Sequence, residues 1–295
     1  MKSQWDCVLQ NLGEWRGSFT YFSPQGVLQE DIPSLIFLEG IDDNRLIHLV
    51  LKRFYQAPDS AERVPKEMVV DFSAPGAGAL FFETGAFSDG AVYFSPQGTF
   101  GAESCLIDQN RRLRLVMLFN ASRFSKLTLI REQRVGTDAP EQPTLGLEDL
   151  LGEWRGQRVT RYFAKEDLEH QSANFRLIRQ GEALIQSDER TVRAIPCGSI
   201  EATPCGYLEE HAQGSAFEFE REGQVYQTLL LPDGASITCP MQIAEGKPFF
   251  LEIGWLRPLT ATSRNSSTSR QRLIRRYNEK GEWVSLTWVT EQKIT

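Results

Sequence analysis

The residues best suited to binding a small molecule lie near the end of the chain, in Arg275-Arg276-Tyr277. In a β-strand Arg275 and Tyr277 project from one face, with Leu273 beside them. A guanidinium group presents a rigid fork of donors that holds a carboxylate through two parallel hydrogen bonds. If this face points inward, the pair predicts an anchor for a ligand with a carboxylate head and an apolar body. Trp255 and Trp288 are the aromatic candidates for the wall of such a site.

The opposite phase of the same strand removes the anchor in this form, because the even-numbered side chains then point inward. Arg272 is the ligand-binding candidate in that case. A structural role is the alternative for all of these arginines, which would lie at the surface or pair across the sheet with nearby carboxylates. The carboxylates available for such pairs are Glu252, Glu282 and Glu291.

A second feature of this region is a local excess of positive charge on a chain whose net charge is −7. Arginine recurs between positions 257 and 276, and no acidic residue occurs there. Such a segment suits an acidic protein partner, although a solvated strand and loop would have the same composition. The partner-contact candidates are Arg257, Arg264, Arg270 and Arg276.

The residue types needed for catalysis are sparse. His48, His170 and His211 lie on separate segments, and none has a metal-ligand spacing or adjoins a nucleophile elbow. Cys197 and Cys205 each stand in Pro-Cys-Gly, which favours packing beside a turn. The sequence therefore predicts no catalytic residue, metal or cofactor, and favours a non-enzyme without deciding the question.

The elements that carry these residues are duplicated. Gly-Glu-Trp-Arg-Gly occurs at 13–17 and again at 152–156, and the segments 112–120 and 127–135 match 270–278 and 286–294. A polar stretch at 136–143 with two prolines reads as a linker. We therefore expect two domains, at 1–138 and 144–295, and each is long enough to bury its own core.

Each half consists of short alternating runs rich in Phe, Tyr, Val, Ile and Thr, punctuated by turn residues. Short amphipathic stretches at 6–12 and 147–151 predict one or two helical turns before each tryptophan. The expected fold is all-β, with two tandem antiparallel barrels that each begin with a short helix.

The Gly-x-Trp that opens each unit after a helical turn resembles the lipocalin-like (calycin) superfamily. The resemblance implies that Trp15 and Trp154 mark the barrel closure and that a basic residue of the last strand packs across each ring. Arg131 is the matching residue in the first unit. Its counterpart Thr290 is uncharged, so Lys293, Arg275 or Arg276 would substitute in the second. The Arg-x-Tyr pair in turn resembles the carboxylate anchor of fatty-acid-binding proteins.

The second half also resembles a cyanobacterial and chloroplast family through 230–234, 251–256 and 272–277. Its plant members include a biogenesis factor required for ATP synthase, so the resemblance implies a non-enzymatic assembly factor with ATP synthase subunits as partners. No transit peptide is visible, which points to a bacterial member. A carrier of a small hydrophobic carboxylate or tetrapyrrole is the first alternative. A bilin lyase is the second, because other cyanobacterial calycins attach bilins.

Composition limits the remaining possibilities. Both halves are mildly acidic, which argues against nucleic acid binding. No run of about 18 apolar residues predicts a membrane span. The odd number of cysteines, 5, favours a reducing compartment. We expect a cytoplasmic protein, with association with thylakoids left open.

Overall fold

The computed structural model describes residues 2–57, 62–165, 168–180, 183–188, 191–195, 215–257 and 268–294. The first half begins with helix α1 (Gln4–Val8) and a 3-10 turn (Leu9–Asn11). The helix starts at Ser3, whose hydroxyl accepts from the Asp6 N–H while the Asp6 carboxylate accepts from the Ser3 N–H. Nine strands follow: β1 (Gly13–Phe22), β2 (Leu28–Ile41), β3 (Leu46–Gln56), β4 (Arg63–Phe72), β5 (Ala79–Phe81), β6 (Phe87–Gly90), β7 (Thr99–Asp108), β8 (Arg111–Asn120) and β9 (Arg123–Arg134).

The second half repeats this plan. It begins with helix α2 (Leu147–Leu150), which directly precedes the second Gly-x-Trp. Its strands are β10 (Gly152–Tyr162), β11 (Leu168–Gln180), β12 (Ala183–Asp188), β13 (Thr191–Ile195), β14 (Ser215–Arg221), β15 (Gln224–Leu231), β16 (Ala235–Pro240), β17 (Phe249–Arg257), β18 (Ser269–Tyr277) and β19 (Trp283–Lys293).

Each half forms one antiparallel sheet in which the first strand lies between the second and the last. The strand orders are β4-β3-β2-β1-β9-β8-β7-β6-β5 and β13-β12-β11-β10-β19-β18-β17-β16-β15-β14. This order is that of an up-and-down barrel. Over the described residues, however, no ladder joins the two end strands of either sheet. The predicted all-β fold is confirmed, whereas closure of either sheet into a barrel is not seen among the described residues.

The largest hydrophobic core is shared between the two sheets. Met117 of β8 and Leu273 of β18 belong to the same buried cluster. The Phe100 ring lies 5.6 Å from the Phe249 ring and 5.2 Å from the Tyr277 ring of the other sheet. Separate cores were expected for the two halves. The sheets share a core because β8 and β18 each direct one apolar face towards the other sheet. The second face of each strand points away from that core.

Backbone hydrogen bonds also cross between the halves. They run from the N–H groups to carbonyl oxygens as Phe94 to Gly281 (2.8 Å), Trp283 to Val92 (2.8 Å), Phe124 to Met241 (3.0 Å) and Ile243 to Ser122 (2.9 Å). The segment predicted as a linker is held against the second sheet, since the Gln142 N–H donates to the Asp233 carboxylate at 2.7 Å. Among the described helices, none is long and apolar enough to span a membrane.

Candidate functional site

Strand β18 has the phase opposite to the one that the carboxylate anchor requires. Arg272 and Arg276 line a cavity on one face of the second sheet. Arg275 and Tyr277 project from the other face and contact the first sheet. Leu273 fixes this phase, because it shares the face of Arg275 and is buried in the shared core. Of the two orientations left open by the sequence, the structure shows the second.

Arg275 is fully buried, and its five N–H groups all find acceptors inside the protein. Its Nε donates to the Tyr277 hydroxyl at 2.6 Å, and that hydroxyl donates to the Ala91 carbonyl at 2.7 Å. The other donors of the guanidinium reach Gly78 O (3.1 Å), Ser88 Oγ (3.3 Å), Gly90 O (3.3 Å) and Ala91 O (3.1 Å). The pair therefore joins the second sheet to the first.

Burial of the charged Arg275 side chain removes it from solvent, and neighbouring groups partly compensate for this loss. Burial lowers the pKa of Arg275, and the contact with Tyr277 opposes this effect. The guanidinium also lies 3.4 Å from the centre of the Trp283 ring, where the aromatic face partly replaces the lost solvent. Burial likewise raises the pKa of Tyr277, which keeps its hydroxyl a donor.

The two tryptophans proposed as ligand walls do not line this cavity. Trp255 is buried in the shared core and donates from Nε1 to the Asp233 carbonyl at 2.9 Å. Trp288 donates to the Gln271 side chain at 3.1 Å and packs against the Phe82 ring of the first sheet at 5.8 Å. Both side chains serve contacts within the fold.

A buried ion cluster occurs at equivalent positions in both sheets. In the first, Glu132 accepts from Arg112 at 2.7 Å and from Arg114 at 2.8 Å. In the second, Glu291 accepts from Arg270 and Arg272, with Nε distances of 2.6 and 2.9 Å. A further carboxylate completes each cluster, Glu103 on Arg114 at 3.0 Å and Glu252 on Arg272 at 3.3 Å. The clusters are therefore part of the duplicated unit.

The arginines of these clusters hold their glutamates ionised. Burial alone would raise the pKa of Glu132, but Arg112 and Arg114 outweigh it and lower the pKa to about 2. Glu291 shows the same balance, with burial opposed by Arg270 and Arg272 and a lowered pKa. Both clusters are buried networks of opposite charges, which is an arrangement expected of structural groups.

The cation over the first opening tryptophan differs from the one expected. Arg134 lies 4.2 Å and Arg112 4.5 Å from the Trp15 ring. Arg131 instead donates to Glu141 at 2.6 Å and to Thr20 at 3.0 Å. The reason is register, since Trp15 pairs with Arg134 whereas Arg131 pairs with Ser18. An offset of three residues places a strand side chain on the opposite face.

The second unit has the equivalent arrangement. Lys293 pairs with Trp154 in the ladder and places its ammonium group 5.6 Å from the ring. Arg270 lies over the same ring at 4.6 Å. Each tryptophan also donates from its indole nitrogen to the preceding helical turn, Trp15 to Asn11 and Trp154 to Leu150, both at 3.0 Å. Both tryptophans thus tie their opening turn to the sheet.

The cavity of the second sheet has a volume of about 670 Å³ and a mixed wall. Among the lining groups, the hydroxyls of Thr160 and Thr287 form a hydrogen bond of 2.9 Å with each other. The Phe250 ring also lines the cavity, with the Arg221 guanidinium at 4.9 Å and the Arg276 guanidinium at 5.6 Å from its centre. Burial and then the neighbouring Arg221 lower the pKa of Arg276. Two cations at one aromatic ring form a site to which an anionic group would be attracted.

The arginine-rich segment does not form an exposed basic patch in the part of it that the structure describes. Arg257 bonds Asp108 of the first sheet at 3.0 Å and stacks on Trp255 at 4.9 Å. Arg270 is buried in the ion cluster, and both Arg270 and Arg276 line the cavity. Arg264 lies outside the described residues.

The histidines and cysteines show no shared site in the described parts of the chain. His48 contacts Asp71 at 2.7 Å on the outside of the first sheet, and His170 is exposed on β11. His211, Cys197 and Cys205 lie outside the described residues. Burial raises the thiol pKa values of Cys105 and Cys239, so both stay protonated. No group of three potential metal ligands occurs among the residues described.

Comparisons with known proteins match the two halves of the chain to two family descriptions. Residues 1–137 match the family described as domain of unknown function DUF3598, N-terminal. Residues 141–294 match the C-terminal domain of the family of biogenesis factor required for ATP synthase 1. A DUF3598 protein of unknown function from Nostoc punctiforme, known from its crystal structure, is 40% identical over 100% of both chains, with a TM-score of 0.82. The chain belongs to the DUF3598 family.

Other comparisons add no argument about this DUF3598 protein. A putative outer membrane protein from Bacteroides fragilis covers 97% of this chain and 99% of its own at 9% identity, but with a TM-score of only 0.22. No curated protein matches the chain.

Sequence reasoning missed two features of this DUF3598 site. The ion clusters were visible in the duplicated segments, because Arg112-x-Arg114 aligns with Arg270-x-Arg272 and a glutamate follows at the same relative place in both units. Arg221 carried no such signal, since its position beside Arg276 depends on how β14 lies across the sheet.

Proposed function

We propose that this DUF3598 protein is a non-enzymatic assembly factor whose client is a subunit of ATP synthase. The observation that carries the proposal is the match of residues 141–294 to a family described as an ATP synthase biogenesis factor. That range contains the whole second sheet and its preceding helix. In a bacterium the work of such a factor would be done in the cytoplasm, where the catalytic head is built.

The chemistry of the described residues supports a binding role. The charged groups with the largest buried networks, around Glu132 and Glu291, neutralise one another inside the sheets. Arg275 forms hydrogen bonds that join the second sheet to the first. Because these groups are engaged with one another, their charges serve the fold. The function that best suits this fold is recognition of a partner protein through the surface of the two joined sheets.

A binding experiment tests this proposal. The full chain is mixed with purified catalytic-head subunits of its host's ATP synthase, singly and together, and analysed by size-exclusion chromatography with light scattering. Elution with at least one subunit at both low and moderate salt supports the proposal. Separate elution of the chain from every subunit at both salt concentrations contradicts it.

A second candidate function is the binding of a small amphipathic anion in the cavity of the second sheet. The observation that favours it is the pair Arg221 and Arg276 at the Phe250 ring. Polar groups at fixed positions orient a ligand in such a pocket, and the Phe250 ring offers a contact for its apolar part. An anionic naphthalenesulfonate probe should bind the wild type and bind Arg221→Ala/Arg276→Ala at least about tenfold more weakly. The exposed Arg45→Ala is the control, and equal binding by the double variant would contradict the assignment.

A further inference from the structure

Strand β4 is an end strand whose second edge is unpaired over the described residues. It pairs with β3 from Arg63 to Phe72, and the sheet order ends with it. Nearly the whole strand is exposed, including Met68 (45%), Val69 (51%) and Val70 (41%). Long exposed edges with apolar side chains are sites at which another strand can pair.

The direction of the backbone groups on β4 follows from the hairpin. The Ala57 N–H donates to the Glu62 carbonyl at 2.9 Å, so these two residues form a hydrogen-bonded pair. Because such pairs alternate along an antiparallel ladder, the even-numbered residues of β4 bond to β3. The odd-numbered residues direct their N–H and C=O groups at the free edge. Pro65 is one of them and has no N–H, which leaves the stretch from Glu67 to Asp71 as the pairing edge.

One face of β4 continues the interior face of the first sheet. This face is apolar except for one pair of positively charged side chains. Met68 pairs with Leu51 and Val70 with Leu49, which belong to or pack against the core cluster of the first sheet. Beside them, Lys66 pairs directly with Arg53. Two cations opposite each other in a ladder repel.

No carboxylate of the described residues relieves this repulsion, since neither Lys66 nor Arg53 takes part in an ion pair there. Both cations lie over the Tyr55 ring instead, Lys66 at 4.6 Å and Arg53 at 5.7 Å. A carboxylate arriving at this point would neutralise the pair. The free edge therefore offers backbone donors, an apolar face and an unneutralised positive charge in a fixed order.

We propose that the edge of β4 between Glu67 and Asp71 is a docking site for an extended strand of a partner protein. The complementary strand carries an acidic side chain facing Lys66 and apolar side chains at the following alternate positions, facing Met68, Val70 and Phe72. Backbone pairing gives the affinity and the alternate side chains give the specificity. A lipid would meet the charge and the apolar face but would leave the edge N–H groups unpaired. The inference rests on the proposed function in taking the partner to be a protein under assembly.

A peptide titration on the full chain tests this site. The probe is the fluorescein-labelled peptide Ser-Glu-Thr-Val-Thr-Ile-Thr-Val-Ser, followed by fluorescence anisotropy. Two control peptides carry either lysine in place of the glutamate or N-methyl groups on alternate amides, which block pairing. Binding of the unmodified peptide with loss of at least about tenfold in affinity for both control peptides is expected. Absence of binding to the unmodified peptide, or equal binding of the N-methylated one, overturns the proposal.

Substitutions locate the binding on the edge. Val69→Pro removes a free-edge N–H without removing a hydrogen bond to β3, and Lys66→Glu reverses the charge on the docking face. Both variants should bind the unmodified peptide with at least about tenfold lower affinity than the wild type does. Arg63→Glu makes the same charge change on the opposite face of the same strand and should leave affinity within about twofold. If Arg63→Glu weakens binding as much as Lys66→Glu, the effect is general electrostatics and the proposal fails.

The outcome separates this site from the proposed function. Circular dichroism and denaturant unfolding verify that each variant is folded, and Lys66→Glu remains informative if Val69→Pro is not. Head subunits that bind Val69→Pro and Lys66→Glu as well as the wild type would overturn the docking site while leaving the assembly role in place. Specific peptide binding by a chain that binds no head subunit would contradict the assembly role alone.

Discussion

Arg112 and Arg270 take the same position in the two sheets of this protein. Each guanidinium lies over the tryptophan that opens its sheet, 4.5 Å from Trp15 and 4.6 Å from Trp154. Each also donates to a buried glutamate, at 2.7 Å to Glu132 and 2.6 Å to Glu291. The duplicated sequence thus carries a duplicated internal network, and its stability can be tested one copy at a time.

Glu132→Gln should destabilise the protein by about 3–5 kcal/mol, because it removes the carboxylate that two buried arginines share and leaves Arg112 without a counter-charge. Glu291→Gln should have an effect of similar size, since its arginines are arranged alike. Denaturant unfolding of both variants measures the loss. The exposed Glu30→Gln is the matched control, and a loss below about 1 kcal/mol in both cluster variants would show that the networks are dispensable.

The stability of the wild type should depend on pH in a window set by Glu132. Its folded pKa is about 2, below the value of 4.5 for an unperturbed glutamate. The stabilisation is therefore complete above pH 4.5 and is lost as the pH falls towards 2. It amounts to a few kcal/mol, on the order of 3. Glutamine mimics the protonated carboxyl group, so wild type and Glu132→Gln should differ most near neutral pH and converge in acid. A difference that stays constant from pH 7 to acid would contradict the pKa assignment.

Arg275→Met should weaken the joint between the sheets. It removes the hydrogen bonds of the guanidinium group to the carbonyl groups of Gly78, Gly90 and Ala91, at a cost of about 3 kcal/mol or more. Arg275→Lys should recover only part of the loss, because an ammonium group cannot reproduce the planar fork. Unfolding monitored by tryptophan fluorescence and by circular dichroism measures both. The shared core predicts coincident transitions in the wild type, and Arg276→Met, on the cavity face, should change stability far less.

The sequence predicted the larger part of the fold because the duplication leaves a plain signal. Gly-x-Trp marks the start of both sheets, and the short helix before each was legible from its amphipathic pattern. Whether each sheet closes into a barrel could not be derived from the sequence, since closure depends on backbone pairing between end strands that are distant along the chain. The shared core could not be derived either, because strands buried on both faces lose the alternation that reveals which face points inward.

The candidate site was harder to predict for the same reason. Strand β18 carries arginines on both faces, so hydrophobic alternation did not fix its phase. The alignment of the two units could have identified the basic residue that packs on each opening tryptophan. Arg134 and Lys293 are equivalent and both basic, whereas Arg131 is aligned with uncharged Thr290. A cation required in both units points to the first pair, which the ladder register then places beside Trp15 and Trp154.

The assembly of ATP synthase in the host cell tests the central claim most directly. The measurement is the amount of intact enzyme on blue native gels, quantified against total catalytic-head subunit, in cells with and without the gene for this chain. The account predicts that deletion lowers assembled enzyme and leaves unassembled head subunits, and that the wild-type gene restores it. Unchanged amounts of assembled enzyme and free head subunits in the deletion strain would contradict the assembly role.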